Sequence, residues 1–281
     1  MRLRSLLFVP GDRPERMEKA LGLGADALIL DLEDAVAPAA KPAARQAVAA
    51  FLASDRRGVE IFVRINPLDG GLAEPDLAAV LPGRPDGIVL PKAEGAPSIA
   101  ALDALLAEGG AAGLPILPIA TETPLAMFRL GDYPALGARL TGLTWGAEDL
   151  PAAIGAVSSR DADGMLTAPY QLARSLTLFA AAAAGVPPIE TVFPAIRDLD
   201  GLAAYAARAA RDGFTGMMAI HPAQIAPINA AFTPSETAIA QARAVIAAFA
   251  ASPGAGALML DGRMIDAPHL KQARALVARL D

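Results

Sequence analysis

Short, nearly unbroken apolar runs alternate along this chain with longer segments rich in alanine and leucine. That is the pattern of repeated βα units. The short runs predict strands at Ser5–Val9, Ala27–Leu32, Glu60–Ile65, Gly87–Leu90, Pro115–Ile119, Leu140–Trp145, Pro188–Val192 and Gly216–Ile220, eight in all. Because they are continuous rather than alternating, they suit parallel strands covered on both faces. The longer segments predict helices at Arg13–Leu21, Lys41–Leu52, Ile99–Ala107, Pro124–Leu130, Tyr170–Ala184 and Leu199–Arg211. Eight strands with no antiparallel insert point to an α/β fold of the (β/α)8 TIM-barrel type, with a doubly wound open sheet as the alternative.

The barrel is expected to occupy residues 1–232, and residues 233–281 form a C-terminal extension of the same domain. After the eighth strand, Pro222–Ala231 and Pro234–Ala251 read as helices. Ala257–Asp266 reads as strand–turn–strand about Asp261-Gly262, a strong hairpin signal. A last helix, Pro268–Leu280, opens with proline in its first turn.

Composition narrows the chemistry. The 281 residues are 54% hydrophobic, but much of that is alanine, and the longest apolar run, Leu176–Val186, stops at Pro187-Pro188. A spanning helix needs about 20 apolar residues, so no membrane segment is expected. Leu6–Val9 is too short for a signal peptide, and a cytoplasmic protein is the expectation. With no cysteine, disulfides, iron–sulfur clusters, thiolate zinc and a cysteine nucleophile are excluded. Two histidines argue against a multi-imidazole site. Any metal is then a hard cation on carboxylates, Mg²⁺ or Mn²⁺. A net charge of −6 argues against nucleic acid as a partner.

Polar residues gather at one end of the predicted strands. The C-terminal ends read Pro10-Gly11-Asp12, Asp31-Leu32-Glu33-Asp34, Arg64-Ile65-Asn66, Pro91-Lys92, Glu122, Gly146-Ala147-Glu148-Asp149, Glu190 and His221. In a TIM barrel that end carries the active site. Carboxylates with an arginine suit a divalent cation together with an anionic ligand, since an α-keto or α-hydroxy acid chelates the metal and a guanidinium pairs bidentately with its carboxylate. Other readings stay open residue by residue. Arg64 could pair with Glu33 or Asp34 in a structural network. Lys92 fits a rim ion pair as well as a substrate contact, and His221 suits loop bracing. Gly22-Leu23-Gly24-Ala25-Asp26-Ala27 matches a dinucleotide fingerprint on paper, but it follows a helix and precedes a strand, the wrong order for one.

Taken together, these motifs closely resemble the citrate lyase β-subunit-like family of the HpcH/HpaI aldolase superfamily. The resemblance runs through Arg4–Gly11, Leu30–Val36, Val63–Asn66, Pro91-Lys92, Glu122-Thr123-Pro124, Gly146–Leu150, Ile220–Gln224 and Met264–Pro268. It implies Mg²⁺ held by Glu122 and Asp149, a keto-acid carboxylate gripped by Arg64 with backbone N–H groups around Gly146 and Ala147, and Lys19 beside the phosphates of CoA. It also implies a trimer or hexamer in which Asp266 enters the neighbouring subunit's site as acid/base. The implied activity is retro-aldol cleavage of a malyl-, citramalyl- or citryl-type CoA thioester to acetyl-CoA and a keto acid such as oxaloacetate, pyruvate or glyoxylate. Synthase or thioesterase activity could accompany it. A carrier-protein-dependent citrate lyase subunit and a pyruvate-dependent aldolase are the alternatives. One departure stands out: Gly213-Phe214-Thr215-Gly216 is followed by Met217, where the family usually has lysine.

Overall fold

The computed structural model describes residues 2–162 and 164–280. It contains two compact units, Leu3–Phe232 and a smaller one formed by Thr233–Asp281 with Met1–Arg2.

In the larger unit, β1 (Ser5–Pro10), β2 (Ala27–Asp31), β3 (Glu60–Arg64), β4 (Gly87–Leu90), β5 (Ile116–Pro118), β6 (Leu143–Thr144), β7 (Pro188–Glu190) and β8 (Gly216–Ala219) are hydrogen-bonded in the order 5-4-3-2-1-8-7-6. All seven pairings are parallel. Parallel bridges from Ile116 to Leu140 and from Ile119 to Thr144 bring β5 to β6, so the sheet closes on itself. This is the (β/α)8 barrel expected from the strand pattern.

Side-chain period two sorts the apolar residues into two cores. Leu6, Ile29, Phe62, Val89, Leu117, Ile189 and Met218 fill the barrel. Leu7, Leu28, Leu30, Ile61, Val63 and Ile88 face out toward the helices. The inward register of β2 and β3 runs Ile29 then Asp31, and Phe62 then Arg64, with Asp31 and Arg64 directly paired in register. The same alternation that packs the interior therefore ends in a salt bridge at the C-terminal mouth. Gly87 has a packing reason, since a Cβ there would lie 2.5 Å from the Phe62 ring.

The helices of this unit are α1 (Pro14–Ala20), α2 (Lys41–Leu52), α3 (Ala73–Val80), α4 (Ala96–Glu108), α5 (Pro124–Met127), α6 (Asp149–Ile154), α7 (Ala168–Ala184), α8 (Leu199–Asp212) and α9 (Ile225–Ala231). Two of them, α3 and α6, are absent from the sequence expectation. Both are short, and each carries a proline in its first turn, Pro75 and Pro151, which is allowed there although it reads as a breaker. The expected helix at Pro124–Leu130 is a single turn, followed by 3₁₀ structure at Leu130–Arg139. β6 is shorter than Leu140–Trp145, because Leu140 closes that 3₁₀ stretch and joins the sheet only by its bridge to Ile116.

The smaller unit packs α10 (Glu236–Ala251) and α11 (Ala267–Val277) with the antiparallel pair β9 (Ala257–Leu260) and β10 (Arg263–Asp266) about Ala242, Val245, Ile265 and Ala273. The turn residues Asp261 and Gly262 have φ of 49° and 75°. Two positive φ values are what a two-residue type I′ hairpin turn requires.

Candidate active site

A cavity of about 290 Å³ opens at the C-terminal ends of the barrel strands, and Arg64, Glu122, Gly146, Ala147 and Asp149 all line it. Asp31, Asp34, Phe8, Pro10, Met218 and Ile220 complete much of its wall.

On the β2–β3 side, Arg64 donates from Nε and Nη2 to the two oxygens of Asp31, at 2.7 and 2.6 Å. Its Nη1 lies 3.0 Å from Glu33 Oε2, and the guanidinium sits 4.7 Å from the centre of the Phe8 ring. Burial opposes its charge, but the hydrogen bonds and charge of Asp31, then the charges of Glu33 and Glu122, raise Arg64 well above its ordinary value. It is therefore a fixed cation. Asp31 also accepts the N–H groups of Glu33 and Ala35. Behind it, buried Lys41 donates to the carbonyls of Leu32 and Glu33 and to Asn66 Oδ1. Asn66 in turn donates to Asp76.

On the β4–β6 side the carboxylates are less well supplied. Glu122 is buried and accepts the Lys92 N–H at 2.6 Å. Burial, reinforced by the charges of Asp149 and Glu33, pushes its carboxyl up to about 8 against the pull of that N–H and of the Lys92 charge. Asp149 Oδ1 stands 3.6 Å from Lys92 Nζ, a contact too long to be a hydrogen bond. Lys92 Nζ itself donates to Glu33 Oε1 at 2.6 Å. Burial raises the Glu33 carboxyl as well, with Arg64 and Lys92 opposing. Gly146 is held under Glu122: a Cβ on it would lie 2.6 Å from Glu122 Cγ. Its N–H donates to Thr121 Oγ1 at 3.2 Å. That leaves the neighbouring Ala147 N–H, unpaired among the described residues, as the backbone donor available to a ligand.

The described residues contain no group of three or more histidine, aspartate or glutamate side chains placed to hold a metal. Mg²⁺ does not require one, because it is commonly held by one or two carboxylates with waters and substrate oxygens. The charge balance fits. Among the described residues the cations paired with Asp31, Glu33 and Asp149 are Arg64 and Lys92, and Asp34, Glu122 and Glu148 also line the cavity, so carboxylates outnumber cations there.

The remaining sequence candidates lie elsewhere. Lys19 lines a separate hollow of about 370 Å³ with Arg16, Leu23, His221 and Pro222, and that hollow shares Phe8, Pro10 and Ile220 with the first. Asp266 belongs to the smaller unit, where it ends β10 and caps α11, its Oδ1 lying 2.5 Å from His269 Nδ1. His221 caps a 3₁₀ turn by accepting the Ala223 N–H, the bracing role expected of it. Glu190 is fully buried and taken up by Trp145, Arg174 and Tyr205. Met217 is buried in the outer core. Residue-level reading missed Thr121, Phe8 and the double reach of Lys92. Their contacts span strands about 25 to 60 residues apart in sequence and carry no local signal.

A carboxylate-lined cavity with a fixed arginine at the C-terminal mouth of a (β/α)8 barrel has the layout of the catalytic face of a barrel enzyme. The chain belongs to the HpcH/HpaI aldolase/citrate lyase family, whose pattern matches residues 4–222. It is similar to the (3S)-malyl-CoA thioesterase of Cereibacter sphaeroides, at 35% identity over 99% of this chain and 94% of that protein. It is likewise similar to the mitochondrial citramalyl-CoA lyase of Rattus norvegicus, at 37% identity over 98% of this chain and 85% of that protein. Among solved structures it matches the protein CitE of Mycobacterium tuberculosis in complex with magnesium, acetoacetate and coenzyme A. The TM-score is 0.81 at 37% identity, covering 98% of this chain and 97% of that one.

Proposed function

We propose that this protein is a cytoplasmic, homo-oligomeric, Mg²⁺-dependent lyase that cleaves a malyl-, citramalyl- or citryl-type CoA thioester to a keto acid and acetyl-CoA. The observation that carries the reading is the convergence of Glu122, Asp149 and Arg64 on one cavity. Relatives that cleave or hydrolyse related CoA thioesters, and a solved relative holding magnesium with coenzyme A, support it.

Glu122 and Asp149 are the residues that would hold Mg²⁺. When bound, the ion supplies Lewis acidity toward the oxygens of the α-hydroxy or α-keto acid. Arg64, already fixed by Asp31 and lining the cavity, is the cation that would pair with the substrate carboxylate, with the Ala147 N–H as a second donor. In the cleavage direction the substrate hydroxyl gives up its proton, and the bond between the carbinol carbon and the thioester α-carbon breaks. The electron pair passes to that α-carbon as an enolate, and a proton delivered there completes acetyl-CoA. Asp266 is the group assigned to that proton, contributed by a second copy of the chain.

Exposed apolar groups support the second copy. Leu125 and Phe128 follow Glu122, and Ile154 and Val157 follow Asp149, all exposed; Met259 and Met264 are exposed on the hairpin that leads to Asp266. Such exposed apolar groups in the segments after Glu122 and Asp149 and on the β9–β10 hairpin suit an interface between copies, as a trimer or hexamer would provide. The hollow at Lys19 and Arg16 offers cationic groups for the phosphates of CoA.

The test is a panel of malyl-, citramalyl- and citryl-CoA with Mg²⁺ and product identification. Cleavage to acetyl-CoA and a keto acid is expected, with turnover lost in Asp266→Asn and keto-acid binding retained. Absence of turnover on all three, or full activity in Asp266→Asn, would overturn the reading or that residue's part in it.

A further inference from the structure

Lys92 touches both carboxylates assigned to the metal, and it does so with different parts of itself. It follows β4 after Pro91, with φ of 50°, in the left-handed region that residues bearing a Cβ seldom occupy. Such conformations persist where the surroundings enforce them, and they cluster at functional sites. Here the main-chain N–H donates to Glu122 Oε2 at 2.6 Å. The side chain places Nζ where it donates to Glu33 Oε1 at 2.6 Å and stands 3.6 Å from Asp149 Oδ1. Glu33 is shared in turn with Arg64, whose Nη1 is 3.0 Å from Oε2. One strained residue thus links the metal pair to the arginine.

We propose that Lys92 is a positioning residue with two separable tasks: its main-chain N–H fixes the rotamer of Glu122, and its ammonium occupies the space between Asp149 and Glu33 until a divalent cation takes Asp149. This rests on Glu122 and Asp149 being the metal-binding pair. Its consequences have opposite signs for the two ligands. Removing the ammonium makes the cavity one charge more negative, so a cation alone binds more tightly. Glu33, left with Arg64 as its sole cationic partner, then draws the guanidinium back, so an anionic keto acid binds more weakly. Misfolding or loosening cannot produce that pair of changes.

The experiment is calorimetric titration of the full chain with MgCl₂ alone, repeated with MnCl₂, and then with pyruvate at saturating Mg²⁺. Lys92→Met is expected to bind Mg²⁺ about three- to tenfold more tightly and pyruvate about three- to tenfold more weakly than the parent. Lys92→Gly, which keeps the N–H and accepts positive φ freely, should behave like Lys92→Met. Lys92→Val also lacks the ammonium but resists positive φ, and it should lose Mg²⁺ affinity. Lys92→Arg should stay within about twofold of the parent for both ligands. Thermal unfolding without metal checks that each variant is folded; if the valine variant is not, the methionine and glycine variants decide. Parallel weakening of both ligands in Lys92→Met, or no change in either, overturns the proposal. Parent-like Mg²⁺ binding in Glu122→Ala would overturn the metal site itself. Loss of binding there, with Lys92→Met unchanged, would overturn only the part given to Lys92.

Discussion

The two sides of the cavity are built to different degrees of completion. On the β2–β3 side, Asp31 accepts two backbone N–H groups and the Nε and Nη2 of Arg64, and a buried Lys41–Asn66–Asp76 chain braces the loop behind it. On the β4–β6 side, Glu122 accepts one N–H, and the side-chain partner of Asp149 among the described residues is a distant ammonium. Both sides use carboxylates at strand ends in the same barrel, so the difference lies in their partners. On the first side Asp31 and Arg64 are paired by the protein itself, although the buried Glu33 Oε2 accepts no hydrogen bond among the described residues. The second gathers carboxylates that have fewer protein partners, which suits the cation site proposed there.

Removing the partner that completes the finished side has the largest expected effect. Asp31→Ala strands a buried guanidinium, at a cost of about 3–5 kcal/mol. A fall in the unfolding midpoint on the order of 10 °C is expected by calorimetry or circular dichroism. A midpoint unchanged within error would mean that this side is not the rigid one. Next comes Gly146→Ala, whose new Cβ would meet Glu122 Cγ at 2.6 Å. It forces a shift costing about 1–3 kcal/mol, expected as roughly tenfold or greater loss of Mg²⁺ affinity while Arg64 stays in place.

The unfinished side is also where pH acts. With its carboxyl at about 8, Glu122 in the proposed role of metal ligand must lose a proton to bind Mg²⁺. Apparent Mg²⁺ affinity is therefore expected to rise about tenfold per pH unit below about 8 and to level off above it. The metal-free fold responds in the opposite direction. A carboxyl held above its ordinary 4.5 keeps, when folded, a proton that the unfolded chain has released. Its contribution to stability falls as pH rises from about 4.5 toward 8. Glu122→Gln should flatten that slope in unfolding titrations without Mg²⁺; a slope unchanged by the substitution would place the titration elsewhere. The smallest expected effect is Phe8→Leu, which removes the ring beneath Arg64 and should cost about 0.5–1 kcal/mol of keto-acid binding, with Mg²⁺ affinity unchanged.

Legibility in the sequence follows the same division. The strands could be read because a parallel barrel buries both faces of each one, which leaves continuous apolar runs such as Ala27–Asp31 and Gly87–Leu90. Helices α3 and α6 could not, since Pro75 and Pro151 look like breakers until the helix start is known. In the site, charged residues just past apolar strands mark the strand ends as a whole, Arg64, Glu122 and Asp149 among them, and the resemblance to the family is what singles out those three. The partners that distinguish the two sides carry no such mark. Lys92 reaches Glu33 across 59 positions, and Thr121 meets Gly146 across 25, through contacts made only by barrel closure. Lys41 opens α2 with no local signal of its burial, and it is buried with its ammonium on the backbone carbonyl of Glu33.

The most direct test of the account is to titrate oxaloacetate into the protein with and without Mg²⁺, comparing the parent with Glu122→Ala by calorimetry. The account predicts binding by the parent that depends on Mg²⁺, and no Mg²⁺-dependent binding by Glu122→Ala while its unfolding midpoint is maintained. Equal oxaloacetate binding by the two proteins, or binding by the parent that is indifferent to Mg²⁺, would contradict it.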